Sequence, residues 1–125
     1  YGLDVDVYAP CALGATVNGS TITQLKCSII AGAANNQLAD ENLHGHALLD
    51  KGIIYAPDFL INAGGVINCY REIHNLSEQQ THELIENIYG RTLQIFEKSA
   101  KEKIPTQEAA IRIAVERIEN EKKKQ

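Results

Sequence analysis

Three short β-branched runs constrain this chain more than anything else in it. Residues 5–9 (Val5-Asp6-Val7-Tyr8-Ala9), 28–32 (Ser28-Ile29-Ile30-Ala31-Gly32) and 52–56 (Gly52-Ile53-Ile54-Tyr55-Ala56) are each followed by a small or turn-forming residue. Apolar character on both faces is what strands of a parallel sheet show when both sides are covered. A short helix is predicted over residues 20–26, between the first two runs. A longer one is predicted over 40–51, with Leu43, Ala47 and Leu48 at helical spacing. Strand–helix–strand alternation with short connections means βαβ units, right-handed crossovers and a three-stranded parallel sheet. The fold class is therefore α/β.

The chain changes character near residue 76, which divides it into segments 1–76 and 77–125. Just before the change, Gly64-Gly65 interrupts a segment that otherwise reads as a helix starting. Glycine weakens a helix by about 1 kcal/mol relative to alanine, so the pair marks close approach, either of a packed element or of a ligand. Ser77 and Gln80 have capping-box spacing and open a long helix. Its apolar stripe is Leu84, Ile85, Ile88, Tyr89, Thr92, Ile95 and Phe96. Pro105 ends it and Thr106 is the predicted N-cap of a last helix. That helix has an apolar face of Ala110, Ile111, Ala114, Val115 and Ile118.

Composition narrows the function classes. At 125 residues, 44% hydrophobic and 22% charged, the chain has the size and balance of one globular domain. A net charge of −4 argues against a nucleic-acid partner. The basic run Lys122-Lys123-Lys124, beside Glu119 and Glu121, reads as a solvated helix tail. No stretch approaches the roughly 20 apolar residues of a membrane span. Cys11, Cys27 and Cys69 fit no zinc or disulfide framework, so reduced thiols and a cytoplasmic setting are the default. The start at Tyr1, without an initiator Met or signal-peptide pattern, suggests a fragment. Asn18-Gly19-Ser20 and Asn75-Leu76-Ser77 read as turns.

Ligands of open parallel sheets bind beyond the carboxyl ends of the strands. Here those ends carry residues 9–15, then 32–37, then Pro57-Asp58 followed by Asn62 and the glycine pair. These residues are mostly small or amide-bearing. Small residues let a flat ring approach the main chain, and amides can hold a carboxamide or a carboxylate. The same residues are also ordinary turn formers. Acid–base motifs are missing. Asp58 could serve as a site acid or cap the following helix. Cys11 sits where a nucleophile would, without a basic partner. His44 and His46 alone do not make a metal site, and His74 and His82 look like surface positions. There is no G-x-G-x-x-G phosphate fingerprint.

Residues 4–15 (Asp4-Val5-Asp6-Val7-Tyr8-Ala9-Pro10-Cys11-Ala12-Leu13-Gly14-Ala15), 30–38 (Ile30-Ala31-Gly32-Ala33-Ala34-Asn35-Asn36-Gln37-Leu38) and 55–68 (from Tyr55-Ala56-Pro57-Asp58 to Ala63-Gly64-Gly65-Val66-Ile67-Asn68) resemble, in this order, motifs of the leucine, phenylalanine and valine dehydrogenases. Within this glutamate dehydrogenase superfamily the likeness is nearest to the leucine type and runs from about residue 4 to about 118. The segment 38–52 is about one residue longer than the leucine-type pattern.

The resemblance implies the second half of a Rossmann-type NAD-binding domain at 1–76, followed by carboxyl-terminal helices at 77–125. Such enzymes pass hydride from an amino acid's alpha carbon to NAD, yielding a keto acid and ammonium. Their catalytic lysines and aspartate lie in an amino-terminal domain, so no catalytic residue is expected here. It also implies that Cys11 and Ala12 lie beside the nicotinamide ribose and that Asn35 approaches the nicotinamide end. Asn36 would help hold the substrate carboxylate. Gly65 and Val66 would border the substrate, and Cys69 would line the same pocket where leucine-specific relatives carry an apolar residue. A homo-oligomer is expected, with no metal, nucleic acid or membrane partner. The reading from another class is a free-standing, non-catalytic binding or assembly module descended from such an enzyme.

Overall fold

The computed structural model describes residues 1–124. Three strands, β1 (Val7–Tyr8), β2 (Ile29–Ile30) and β3 (Ile54–Tyr55), form a parallel sheet in the order β1-β2-β3. Val7 pairs with Ile29, which pairs with Ile54; Tyr8, Ile30 and Tyr55 form the next row. Helices α1 (Gly19–Gln24) and α2 (Glu41–Asp50) make the two crossovers. The chain then runs through α3 (Asp58–Ile61), α4 (Gly64–His74), α5 (Glu78–Glu102) and α6 (Thr106–Lys122). The architecture is the expected α/β one.

The strands are shorter than the five-residue runs suggested. Each run's flanks still bond across the sheet, as when Ser28 N–H reaches Asp6 O at 3.0 Å and Ala56 N–H reaches Ile30 O at 2.9 Å. Beyond Tyr8, Pro10 has no N–H to give, and its carbonyl instead accepts Ala34 N–H at 3.0 Å in a loop contact.

Burial on both faces is a second expectation the structure corrects. Alternation along a strand sends Tyr8, Ile30 and Tyr55 to one face. There they pack with Val17, Ile22, Leu25, Leu38 and Leu48, from the α1 and α2 crossovers, into the main core. The opposite row is open: Val7 is 48% exposed, Ile29 37% and Ile54 45%.

Local chemistry explains the helix boundaries. Asn18 caps α1 by accepting Ser20 and Thr21 N–H groups, while Thr21 Oγ1 accepts Asn18 N–H in return. The far end of α1 is capped from another helix. The Lys51 ammonium donates to Ile22 O at 2.5 Å and Leu25 O at 2.7 Å. Asp40 caps α2 through Leu43 N–H. Leu43 itself points to solvent; the buried positions are His44, Gly45 and Leu48. His44 Nδ1 accepts Asp40 N–H at 2.9 Å, which lets a polar ring occupy a core-facing position.

Ser77 and Gln80 form the predicted capping box at the start of α5. Thr106 is not the cap of α6: Pro105 holds that position, and the Thr106 hydroxyl instead donates to Tyr55 O at 2.6 Å, fastening α6 to β3. A second core forms where Ile95 of α5 meets Ala109 and Ala110 of α6, with Leu60 of α3 and Phe96 packed against them. The predicted apolar faces are only partly used. Ile85 and Tyr89 on α5, and Ile111, Val115 and Ile118 on α6, are exposed.

Candidate functional site

The carboxyl ends of the three strands lead into loops that are bonded into one rim. Backbone pairing does most of this. Ala15 N–H donates to Asn36 O at 2.7 Å, Val17 N–H to Gln37 O at 3.0 Å, and Ala39 N–H to Val17 O at 3.0 Å. A parallel bridge joins Val17 to Leu38. The loop after β1 is thus zipped to the loop after β2. The contact leaves no room for side chains: a Cβ on Gly14 would lie 2.8 Å from Asn35 O, and one on Gly32 would lie 2.2 Å from Pro10 O. Glycine is required at both places by space rather than by φ. Asn36, by contrast, holds a left-handed φ of 52°, which Asn tolerates better than most residues.

Side chains bring in the third loop. Asn62 Nδ2, between α3 and α4, donates to Asn35 Oδ1 at 2.6 Å and to Ala33 O at 3.3 Å. Beneath the rim, Gln37 is fully buried and its Nε2 donates to Gly32 O at 2.6 Å and Ala34 O at 2.9 Å. Asp58, only 5% exposed, accepts Gln37 N–H at 3.2 Å through Oδ2 and Phe59 N–H at 2.9 Å through Oδ1. Pro57 holds the N-cap position of α3 without a side-chain cap bond. Asp58 therefore sits in the first turn of α3 and straps two loops together below the surface. The Tyr55 phenol lies beside it, where burial first and the Asp58 charge second hold its proton well above the ordinary tyrosine range.

Cys11, Ala12, Asn35 and Asn36 are all exposed on this rim. The Cys11 Sγ accepts Ala33 N–H at 3.5 Å, so its side chain lies on the neighbouring loop. Gly65, Val66 and Cys69 lie on the first two turns of α4, also exposed, with Val66 at 73%. No hydrogen bond ties them to the rim loops among the described residues. A Cβ on Gly64 or Gly65 would meet nothing within 4 Å, so tight packing inside this chain is not what the glycine pair serves. No side chain caps α4, and its first backbone N–H groups start beside that open space.

Asn62, Gln37 and Asp58 build the rim; the sequence placed them in the strand-end loops, Asp58 as a site acid or a cap, but not among the residues expected to touch cofactor or substrate. Their signal was present only as amides and a carboxylate in strand-end loops; the contacts join positions more than twenty residues apart. The exposed rim offers amides, backbone groups and a thiol, and its one nearby carboxylate is buried and engaged. No group of three or more His, Cys, Asp or Glu that could hold a metal stands together among the described residues. An apolar cavity of about 320 Å³, lined by Leu48, Ile53, Ile54, Phe96, Ala100 and Pro105, lies elsewhere, among α2, β3, α5 and the start of α6. No described helix is long and apolar enough to cross a membrane.

The chain is 50% identical over 123 residues to the L-tryptophan dehydrogenase of Nostoc punctiforme, covering 98% of this chain and 35% of that protein. It is 51% identical over 119 residues to the leucine dehydrogenase of Bacillus subtilis (strain 168), covering 95% and 32%. The crystal structure of L-tryptophan dehydrogenase from Nostoc punctiforme matches with a TM-score of 0.94 at 50% identity, over 98% of this chain and 37% of that one. The chain thus spans about a third of the length of the curated relatives it matches. The family model for Glutamate/Leucine/Phenylalanine/Valine dehydrogenase matches residues 1–125. With motif order, sheet topology and relatives in agreement, the chain belongs to the glutamate/leucine/phenylalanine/valine dehydrogenase family.

Proposed function

We propose that this chain is the carboxyl-terminal part of an NAD-dependent amino-acid dehydrogenase that deaminates leucine or a similar apolar amino acid to its 2-keto acid and ammonium. The observation that carries the reading is the rim, in which three strand-end loops present amides, small residues and exposed backbone, and no free acid or base. Residues 1–76 are the half-domain that receives the nicotinamide end of NAD, and the segment 77–125 braces it through its helices α5 and α6. The enzyme works in the cytoplasm as a homo-oligomer.

The residues fit the cofactor. Ala12 and Ala33 are small and exposed, the space before Gly64 and Gly65 is open, and the Asn35 amide stands at the surface. Cys11 and Ala12 border the nicotinamide ribose, and Asn35 meets the nicotinamide end. When bound, NAD supplies the hydride acceptor. Asn36 helps hold the substrate carboxylate, while Gly65, Val66 and Cys69 border the substrate side chain. The Cys69 thiol, small and weakly polar, sets part of the pocket's size. The groups that exchange protons with the substrate belong to the remainder of the enzyme.

The test is amino-acid-dependent reduction of NAD, followed by absorbance. The full-length protein turns over leucine, and the 125-residue chain alone does not. A full-length protein inert toward leucine, valine, phenylalanine and tryptophan overturns the reading. The open row Val7, Ile29 and Ile54 favours a second reading, a non-catalytic assembly module derived from such an enzyme. A native coding sequence without an upstream dehydrogenase portion selects it.

A further inference from the structure

The amide pair at the centre of the rim has a direction that the backbone dictates. Asn62 Nδ2 faces two oxygens, the Ala33 carbonyl at 3.3 Å and Asn35 Oδ1 at 2.6 Å. A backbone carbonyl can only accept a hydrogen bond. If the Asn62 amide were turned over, its own oxygen would face that carbonyl. The Ala33 carbonyl therefore fixes the Asn62 amide with NH2 inward. The Asn62 NH2 in turn fixes Asn35 with its oxygen inward. What Asn35 has left to offer outward is its own NH2, which donates and cannot accept. Asn62 also ends α3, where its N–H is held by Asp58 O at 3.0 Å, so the relay is anchored to the buried strap below.

We propose that Asn62 is a positioning residue that sets the polarity of the Asn35 amide, so that the rim presents a hydrogen-bond donor to an oxygen acceptor on the ligand. On the functional reading given above, on which this inference rests, that acceptor is the carbonyl oxygen of the nicotinamide carboxamide. The carboxamide has both an oxygen and an NH2, so a donor-only partner selects which of the two faces Asn35.

The experiment compares NAD with its 3-acetylpyridine analogue, which keeps the carbonyl of the ring substituent and has a methyl group in place of the amide NH2. The full-length enzyme is assayed with leucine. Wild type accepts both dinucleotides. In Asn62→Asp the ionised carboxylate has no proton to donate, and the Asn35 NH2 turns inward to meet it. The Asn35 oxygen then faces the ligand and can pair only with a carboxamide NH2. Loss of one such bond corresponds to about tenfold in kcat/KM. The ratio of kcat/KM for NAD over the analogue is expected to rise by about that factor. This ratio is independent of the amount of folded enzyme, so a general structural defect does not move it. Asn62→Ala, which frees the Asn35 amide to rotate, lowers both values together. Should Asn62→Asp give no active protein, Asn62→Glu carries the test, since its carboxylate likewise only accepts and the same rise in the ratio is expected.

An unchanged ratio in Asn62→Asp, or in Asn62→Glu where that variant replaces it, overturns the positioning role and leaves the dehydrogenase reading intact. An inert wild-type enzyme overturns the dehydrogenase reading and takes the positioning role with it.

Discussion

Gly32 shows how little freedom the rim has at the level of single residues. A methyl group there would lie 2.2 Å from Pro10 O and 2.5 Å from Pro10 N, atoms of the neighbouring backbone that cannot step aside. Gly32→Ala is expected to prevent folding, read as loss of soluble protein and of its circular dichroism. Gly14→Ala is milder. Its Cβ would press on Asn35 O at 2.8 Å and Asn36 O at 3.0 Å, which displaces the loop without touching the core. NAD binding is expected to weaken about tenfold, of the order of one lost hydrogen bond, with the thermal midpoint little changed; unaltered NAD affinity would count against the rim as the cofactor site. Tyr55 supplies a pH prediction. Its phenol holds the proton more tightly when folded, because burial and then the Asp58 charge disfavour the phenolate. The resulting stabilisation is complete below about pH 10, the ordinary tyrosine value. It is lost as the pH climbs above that value, since the unfolded chain releases the proton first. Stability measured against pH should fall steeply on the alkaline side, and Tyr55→Phe should flatten the fall; matching slopes would rule the phenol out as the cause.

Elements were legible where the signal was local. The Ser77–Gln80 capping box was visible as spacing and is present as two reciprocal bonds, Gln80 N–H to Ser77 Oγ at 3.2 Å and Ser77 N–H to Gln80 Oε1 at 2.9 Å. Ser77→Ala should cost about 1 kcal/mol in urea unfolding. Thr106 had the right residue type for a cap, yet its hydroxyl is spent on Tyr55 O, fifty-one positions away in sequence. Position along the chain could not show that bond. The α5–α6 pairing adds an exposed ion network: Lys98 meets Glu116 and Glu102, and Arg112 meets Glu108 and Glu102. Lys98 and then Arg112 hold the Glu102 carboxyl below the ordinary glutamate range. Its stabilising effect is present above that range and is lost as the pH falls from there through the lowered folded value. Because these groups face solvent, salt screens them. Glu102→Gln is expected to lower the thermal midpoint slightly in dilute buffer and not at all in concentrated salt.

At the scale of the whole molecule the open sheet face dominates. Val7, Ile29 and Ile54 form one row across all three strands and are each left between a third and a half exposed. The exposed Ile85 and Tyr89 of α5, and Ile111, Val115 and Ile118 of α6, add further apolar surface. A chain spanning about a third of its relatives' length would bury such surface only with the help of more polypeptide. The isolated chain is therefore expected to self-associate in light scattering and to bind a hydrophobic dye. Val7→Lys, on the edge strand, should reduce both signals with little change in the thermal midpoint, since about half of this side chain is already in water. A clean monomer at high concentration would mean that the row is not sticky enough to matter.

The sequence by itself determined the alternation of strands and helices, the parallel sheet that follows from it, the capping box and the family. All of these rest on short-range patterns or on motifs read in order. It also indicated which loops gather at the strand ends, because a parallel sheet puts every carboxyl end on one edge. Only the tertiary structure decided that one face of each strand is left partly open, since an apolar run looks the same whether its cover is complete or not. Only it decided that Asp58 is a buried strap, that Thr106 bonds to β3, and that Asn62 meets Asn35. Those roles depend on contacts between distant residues, and side chains able to serve as cap, acid or tie are told apart only by what lies within hydrogen-bond reach.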